Sequence, residues 1–165
     1  MYQKYDNKTG EQTLVALKKL KFQKNLLKPS LNEKKQLINE IKILKIIDHE
    51  NIIKYYGSFE LDKSFYIETE YADAGTLEQF LSTLCNPLEE LEILVLFFQI
   101  ASAVNYIHHN SIIHRDIKTS NIFLNCHGFI KLGDFGIAKI IDTQNEAKTF
   151  VGTPYYIGPE IVSLC

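Results

Sequence analysis

The chain has 165 residues, 45% of them hydrophobic, which fits one globular unit with a buried core. Its 18 basic and 20 acidic residues give a formal charge of −2, so no overall field would draw it to nucleic acid or to an anionic membrane. Cys85, Cys126 and Cys165 lie far apart and form no C-x-x-C pair. This favours reduced thiols in the cytosol or nucleus over a disulfide framework or a zinc site.

The first part of the chain predicts a strand, a helix and two more strands. A turn within residues 4–12 leads into the β-type run "TLVALKKL". A helix follows from about Pro29, because Leu37, Ile41 and Leu44 recur at helical spacing. The stretches "NIIKYYGSF" and "SFYIETEY" then predict two strands around an acidic turn.

The character of the sequence changes at about residue 75, which suggests two lobes. The apolar spacing becomes helical from Leu77 to Leu84 and again from about Pro87 to His109. The apolar stretch Ile93 to Ile107 contains polar residues and falls short of the about twenty residues of a membrane span, so we expect a buried helix. Two short strands, "IFLN" and "FIKLG", come next, joined by a turn. The remainder, rich in glycine, threonine and proline, predicts a long functional loop.

Two charged residues of the first part are placed so that they can pair. Glu40 shares a helix face with Leu37 and Leu44, and a carboxylate on an apolar face needs a partner. Lys18 ends a strand on the same face as Ala16, where a lone lysine would most often reach to solvent. We expect Lys18 to pair with Glu40, which would fix the amine in a cleft.

The second part contains "IIHRDIKTSNIFL", in which Asp116, Lys118 and Asn121 fall within six residues. Another carboxylate, Asp134, follows in "DFG", beside a glycine that frees the backbone to turn. Asn121 and Asp134 are hard oxygen donors of the kind that hold Mg²⁺. With positive charge at Lys118 and a proton acceptor at Asp116, the set suits transfer of a phosphoryl group to an alcohol.

Four motifs in this order resemble those of the eukaryotic protein kinase family: "VALKK", "HRDIKTSNIFL", "LGDFG" and "GTPYYIGPE". Within the family, "HRDIKTSNIFL", "LGDFGIAK" and "VGTPYY" look most like the NIMA-related (Nek) serine/threonine kinases. The resemblance implies an α+β, bilobal protein-kinase-like fold that is present in part. Residues 1–72 would be the small lobe and hinge, and residues 73–165 the first part of the large lobe.

The resemblance also implies an activity and its partners. It implies an ATP-dependent serine/threonine protein kinase that uses ATP and Mg²⁺ as cofactors and a protein as substrate. An activating kinase or a scaffold would be a further partner, while neither nucleic acid nor a membrane is expected. The implied location is cytoplasmic, with nuclear or cytoskeletal association.

Individual residues take roles from the same resemblance. Asp116 would be the catalytic base, Lys118 would steady the transferred phosphate, and Asn121 and Asp134 would hold magnesium. For ATP, the resemblance implies a phosphate-binding pair, Lys18 and Glu40. It also implies a set of residues that contact the adenine: Ala16, Glu70, Ala72 and Phe123. Thr69 would be the gatekeeper of the hinge, and Leu44, His114 and Phe135 would form an apolar column in the active state.

Regulation is implied at three positions. Arg115 precedes the catalytic aspartate, as in kinases that are switched on by a phosphorylated loop. Thr149 matches the residue that is usually phosphorylated, and its phosphate would pair with Arg115. Thr153 would be a structural residue whose hydroxyl approaches Asp116 and Lys118.

The sequence also departs from the pattern of a complete kinase domain. Only 17 residues precede Lys18, and Gly10 is the one glycine among them, so we expect the first strand and its Gly-rich loop to fall before Met1. The chain stops five residues after Glu160, so we expect helices of the large lobe to be absent and a large apolar surface to be exposed under "LEILVLFFQIASAV". The segment alone should therefore be aggregation-prone and nearly inactive. Two alternatives stay open: a noncatalytic kinase-like binding module, and a small-molecule phosphotransferase, which "GTPYYIGPE" disfavours.

Overall fold

A four-stranded antiparallel sheet forms most of the first part of the chain. The computed structural model describes residues 2–5, 12–20, 31–62, 64–140, 153–156 and 158–159. The strands are β1 (Tyr2–Tyr5), β2 (Gln12–Leu20), β3 (Tyr55–Leu61) and β4 (Ser64–Glu70), in the spatial order β1-β2-β4-β3. Every neighbouring pair is antiparallel. The predicted strands are therefore confirmed, although most of the turn predicted within residues 4–12 lies outside the described residues.

Helix α1 (Leu31–Ile46) contributes its apolar stripe to the core beside this sheet. Ile43 and Leu44 are buried in the same cluster as Ile67 of β4. The predicted helical spacing is confirmed, because Leu44 is buried and Leu37 and Ile41 are partly buried against that cluster. The predicted start at Pro29 lies outside the part of the chain that the structure describes.

Two helices follow, α2 (Leu77–Thr83) and α3 (Glu90–His109), and local sequence fixes where each begins. Thr76 and Gln79 form a capping box, in which each side chain accepts a hydrogen bond from the other residue's backbone amide. Glu89 and Glu92 form a second capping box at the start of α3. Such boxes satisfy backbone donors that the first turn of a helix leaves without partners. Both predicted helices are confirmed.

Helix α3 is largely exposed, which contradicts the expectation of a buried helix. Ala103 and Ile107 are fully buried. Its first turns instead expose large apolar side chains, each between 51% and 75% exposed: Leu91, Ile93, Leu94, Val95, Phe97 and Phe98. With 20 residues, α3 is long and apolar enough to cross a membrane. Among the described helices it is the one that meets both criteria. The expectation of a buried helix failed because hydrophobicity alone does not say which segments pack upon a helix, whereas the expected exposure of apolar surface under "LEILVLFFQIASAV" is confirmed.

Four short strands complete the second part of the chain. The strands β6 (Ile122–Leu124) and β7 (Ile130–Leu132) form the predicted hairpin, and β5 (Ile112–Ile113) pairs with β8 (Lys139–Ile140). Strand β7 joins the two parts, because the Leu132 amide donates to Asn51 and the Leu132 carbonyl accepts from Ile53. Gln99 of α3 accepts hydrogen bonds from Asn51 and from the Ile130 amide. The α+β class is confirmed. Strand β7 is held by the first part of the chain and by α3, which positions the loops around β6 and β7.

Candidate active site

One cleft of about 470 Å³ gathers the residues predicted to bind nucleotide and metal. It lies between the sheet with α1 on one side and the β6–β7 region on the other. Its lining includes every residue predicted for ATP or metal binding: Ala16, Lys18, Glu40, Glu70, Ala72, Asn121, Phe123 and Asp134. The structure thus brings together residues that are scattered over more than a hundred positions of the sequence.

Lys18 is held by two carboxylates at the back of this cleft. Its Nζ lies 2.8 Å from Glu40 Oε1 and 2.8 Å from Asp134 Oδ1. Burial by itself lowers the pKa of Lys18, but the charges and hydrogen bonds of Glu40 and Asp134 outweigh it and leave that pKa raised. The predicted pairing of Lys18 with Glu40 is confirmed. The contact with Asp134 was not predicted, because residues 116 positions apart give no local signal.

Asp116 is surrounded by three side-chain donors. Thr153 Oγ1 donates to its Oδ1, while Lys118 Nζ and Asn121 Nδ2 each lie 2.9 Å from its Oδ2. Burial raises the pKa of Asp116, yet these donors outweigh it and hold the pKa below its ordinary value. Asp116 is therefore ionised at neutral pH and can accept a hydrogen bond from a hydroxyl group.

His114 locks the loop of Asp116 to the loop of Asp134. Its Nε2 lies 2.9 Å from the Gly133 carbonyl, and the Asp116 amide donates to its Nδ1 at 3.3 Å. These partners fix the neutral tautomer with the proton on Nε2. Burial lowers the pKa of His114, although the Gly133 carbonyl opposes that effect, so the ring is uncharged at neutral pH.

The apolar contacts around His114 agree with the predicted column. The ring of Phe135 meets the His114 ring edge-on, with centroids 4.8 Å apart. Phe135 is 1% exposed and belongs to the same buried cluster as Leu44.

Both loops carry a non-glycine residue in the left-handed backbone region. Arg115 has φ 68° and Asp134 has φ 58°. This conformation costs L-residues roughly 1–2 kcal/mol, and it persists where the surrounding structure over-determines it. Arg115 Nε donates to the Ile137 carbonyl at 2.6 Å, which ties one strained residue to the segment that follows the other.

The hinge between the two parts is braced by an ion pair that sequence reasoning missed. Glu70 Oε1 lies 2.9 Å from Lys131 Nζ, and the Glu70 amide donates to the Lys54 carbonyl at 2.8 Å. Phe123, across the cleft from Ala16, needs a glycine at 133, where an added Cβ would lie 2.8 Å from its ring.

Asn121 and Asp134 fit a magnesium ion. Asn121 donates through Nδ2 to the Asp116 carbonyl and carboxylate, which leaves its amide oxygen as a ligand atom. Asp134 has a side chain that is 46% exposed and lines the same cleft. Such hard oxygen donors supply part of the octahedral shell of Mg²⁺, and phosphate oxygens and water would supply the rest.

The predicted regulatory residues are described in part. Thr153 contacts Asp116 and accepts from Lys118 Nζ at 2.7 Å, as predicted. Arg115 is partly buried, and burial lowers its pKa. Among the described residues no carboxylate lies within ion-pair distance of its guanidinium. Thr149, like Gly10 and Glu160, lies outside the described residues.

The fold and its cleft together define the class, that of a protein kinase domain. Residues 2–164 match the family described as "Protein kinase domain", and the chain belongs to the protein kinase family. Within that family it resembles the NIMA-related serine/threonine kinases.

Three relatives carry this resemblance. The chain is 47% identical over 156 residues to the probable serine/threonine-protein kinase nek3 of Dictyostelium discoideum, covering 90% of this chain and 14% of that protein. It is 48% identical over 125 residues to the serine/threonine-protein kinase Nek8 of Danio rerio, covering 74% and 18%. It is 42% identical over 156 residues to the serine/threonine-protein kinase Nek9 of Mus musculus, covering 93% and 15%. The chain thus spans less than a fifth of the length of each.

Proposed function

We propose that the protein transfers the γ-phosphoryl group of Mg-ATP to serine or threonine hydroxyls of a protein substrate. The observation that carries this proposal is the Asp116 carboxylate, kept ionised by three donors beside the cleft that contains the Lys18 cluster. An ionised acid with a neighbouring ammonium suits a reaction in which positioning and charge stabilisation dominate.

The cleft offers a place for each part of ATP. Ala16 and Phe123 would sandwich the adenine, whose edge would meet the Glu70 carbonyl and the backbone of Ala72. Lys18, already oriented by Glu40, would bind the phosphates. Mg²⁺, when bound, would neutralise charge on the phosphate oxygens.

The transfer step uses Asp116 and Lys118. The substrate hydroxyl would donate a hydrogen bond to Asp116, which aligns the oxygen for attack on the γ-phosphorus. The new oxygen–phosphorus bond forms as the bond to the β–γ bridging oxygen breaks, and ADP leaves with that electron pair. The hydroxyl proton passes to Asp116, while Lys118 stabilises charge on the transferred group.

Regulation would act through Arg115. Its partly buried guanidinium has no carboxylate partner among the described residues, and an anion there would offset the cost of burial. Phosphorylation of Thr149 by an activating kinase would supply such an anion and order the loop. We place the activity in the cytoplasm, with nuclear or cytoskeletal association.

The test is phosphate transfer from labelled ATP to a generic protein substrate in the presence of Mg²⁺. The protein is compared with Lys18→Met and Asp116→Asn variants, and with Lys42→Met and Asp48→Asn as matched changes at exposed positions. We expect the first two variants to lose at least about 100-fold in rate, on the scale of lost transition-state interactions. The controls should keep the rate of the unmutated protein. If the unmutated protein transfers no more phosphate than Asp116→Asn, the proposal fails.

A noncatalytic binding module is the second candidate, and the exposed apolar side chains of α3 favour it. Apolar surface of this extent marks interaction sites in soluble proteins. Such a module could bind Mg-ATP without transferring phosphate, so nucleotide binding measured beside the transfer assay separates the two functions.

A further inference from the structure

Asn39 makes a contact between α1 and the segment that follows Asp134. Its Nδ2 donates to the Ala138 carbonyl at 2.8 Å in a partly buried position. Ala138 is 1% exposed, and its amide donates to the Phe135 carbonyl. The acceptor therefore belongs to a tight turn directly after the aspartate and phenylalanine of "DFG".

Two side chains hold this turn from different elements. Arg115, from the loop before β6, donates to the Ile137 carbonyl, and Asn39, from α1, donates to the next carbonyl along the chain. Successive carbonyls of an extended or turning segment point in different directions, so one donor cannot serve both. The segment is thus fixed by the catalytic loop and by the helix at the same time.

Asn39 and Glu40 also close a ring of contacts. Glu40, the next residue of α1, binds Lys18, and Lys18 binds Asp134. The chain from Asp134 runs on to Ala138, whose carbonyl returns to Asn39. A shift of α1 that breaks one of these contacts strains the other, because adjacent helical residues move together.

We propose that Asn39 is a positioning residue that couples the placement of α1 to the placement of Asp134. It acts through the Ala138 carbonyl and does not line the cleft. This proposal rests on the proposed function in that Asp134 is there a magnesium ligand. The pairing of Lys18 with Glu40 and the metal-binding position of Asp134 would then form together.

The first test is hydrogen–deuterium exchange of the protein and three variants. Asn39→Ala removes the donor, Asn39→Asp keeps the shape but places a carboxylate against a carbonyl, and Asn105→Ala is the matched control on the exposed side of α3. We expect the amides of residues 138–140 to exchange about fivefold faster in Asn39→Ala, the effect of one net hydrogen bond, and faster still in Asn39→Asp. The amides around Ala103 and Ile107 should be unchanged.

The second test compares two ligands by calorimetry. We expect Asn39→Ala to weaken Mg-ATP binding about fivefold and to leave adenosine binding unchanged, because adenosine touches neither the metal ligand nor Lys18. Equal losses for both ligands would indicate general destabilisation and overturn the proposal. Unchanged exchange at residues 138–140 would overturn it as well. If the unmutated protein binds no Mg-ATP, the proposed function fails, while the exchange experiment still decides whether Asn39 holds this segment.

Discussion

Replacing Thr153 by valine tests the view that Asp116 is an ionised group held for orientation. Thr153 Oγ1 donates to Asp116 and accepts from Lys118 Nζ. Valine has nearly the same shape but can do neither, so Asp116 keeps two of its three side-chain donors. Serine at this position retains the hydroxyl and is the matched control.

The size of the effect follows from the burial of the pair. A hydrogen bond to a charged group contributes about 1.5–3 kcal/mol. The Asp116 side chain is 13% exposed, so solvent screens the loss little, but Lys118 and Asn121 remain on the other oxygen. We therefore take the lower value, which corresponds to roughly tenfold in the rate of phosphate transfer. The pKa of Asp116 should rise, because one of the donors that lower it is gone.

Two measurements check this expectation. Carbon NMR of the labelled Asp116 carboxyl follows its titration, and steady-state phosphorylation gives kcat and the KM for ATP. We expect Thr153→Val to raise the apparent pKa and to lower kcat about tenfold, with the KM for ATP unchanged. Thr153→Ser should resemble the unmutated protein. Equal pKa values in all three proteins, or equal losses in the serine and valine variants, would refute the reasoning.

Three further outcomes are expected. Glu40→Gln should weaken Mg-ATP binding about tenfold by calorimetry, because the lost charge no longer orients Lys18; an unchanged affinity would contradict this. Burial lowers the pKa of His114, so on acidification its ring is protonated in the unfolded chain before it is protonated in the folded protein. Stability should therefore fall as the pH drops below about 6.5. His114→Gln should flatten that fall in the melting temperature, and an identical pH profile would exclude His114 as its source. Self-association by light scattering should decrease in Phe98→Glu, since Phe98 is 75% exposed, whereas an unmutated protein that is monomeric and melts sharply would contradict the expectation.

Local features of the fold could be predicted because they depend on nearby residues. The spacing of Leu37, Ile41 and Leu44 is enough to define a helical face. The pairing of Glu40 with Lys18 could also be predicted, since a carboxylate on that face needs a cation. Helix α3 was expected to be buried and is largely exposed, because its sequence does not say which segments cover it.

Contacts set by strand register could not be predicted in the same way. Glu70 was expected to offer its backbone to a ligand, whereas the ion pair of its side chain with Lys131 was not predicted. The two residues lie far apart in the sequence, and they meet because β7 is hydrogen-bonded to the segment before β3. The contact of Asn39 with Ala138 depends in a similar way on how helix α1 packs against a distant turn. Polar residues of this kind look like ordinary surface positions until the elements are packed.

Backbone strain explains why the site depends on such distant contacts. Arg115 does not favour a positive φ, at a cost of roughly 1–2 kcal/mol, and Asp134 adopts one at a smaller cost because a short polar side chain can hydrogen-bond locally. Part of the compensation is local, since the Asp116 amide donates to His114 across Arg115, and part comes from bonds that cross between the loops. His114 makes one such bond on each side, to the Gly133 carbonyl and from the Asp116 amide. A substitution that removes the crossing bonds of His114 or Arg115 should therefore loosen both loops.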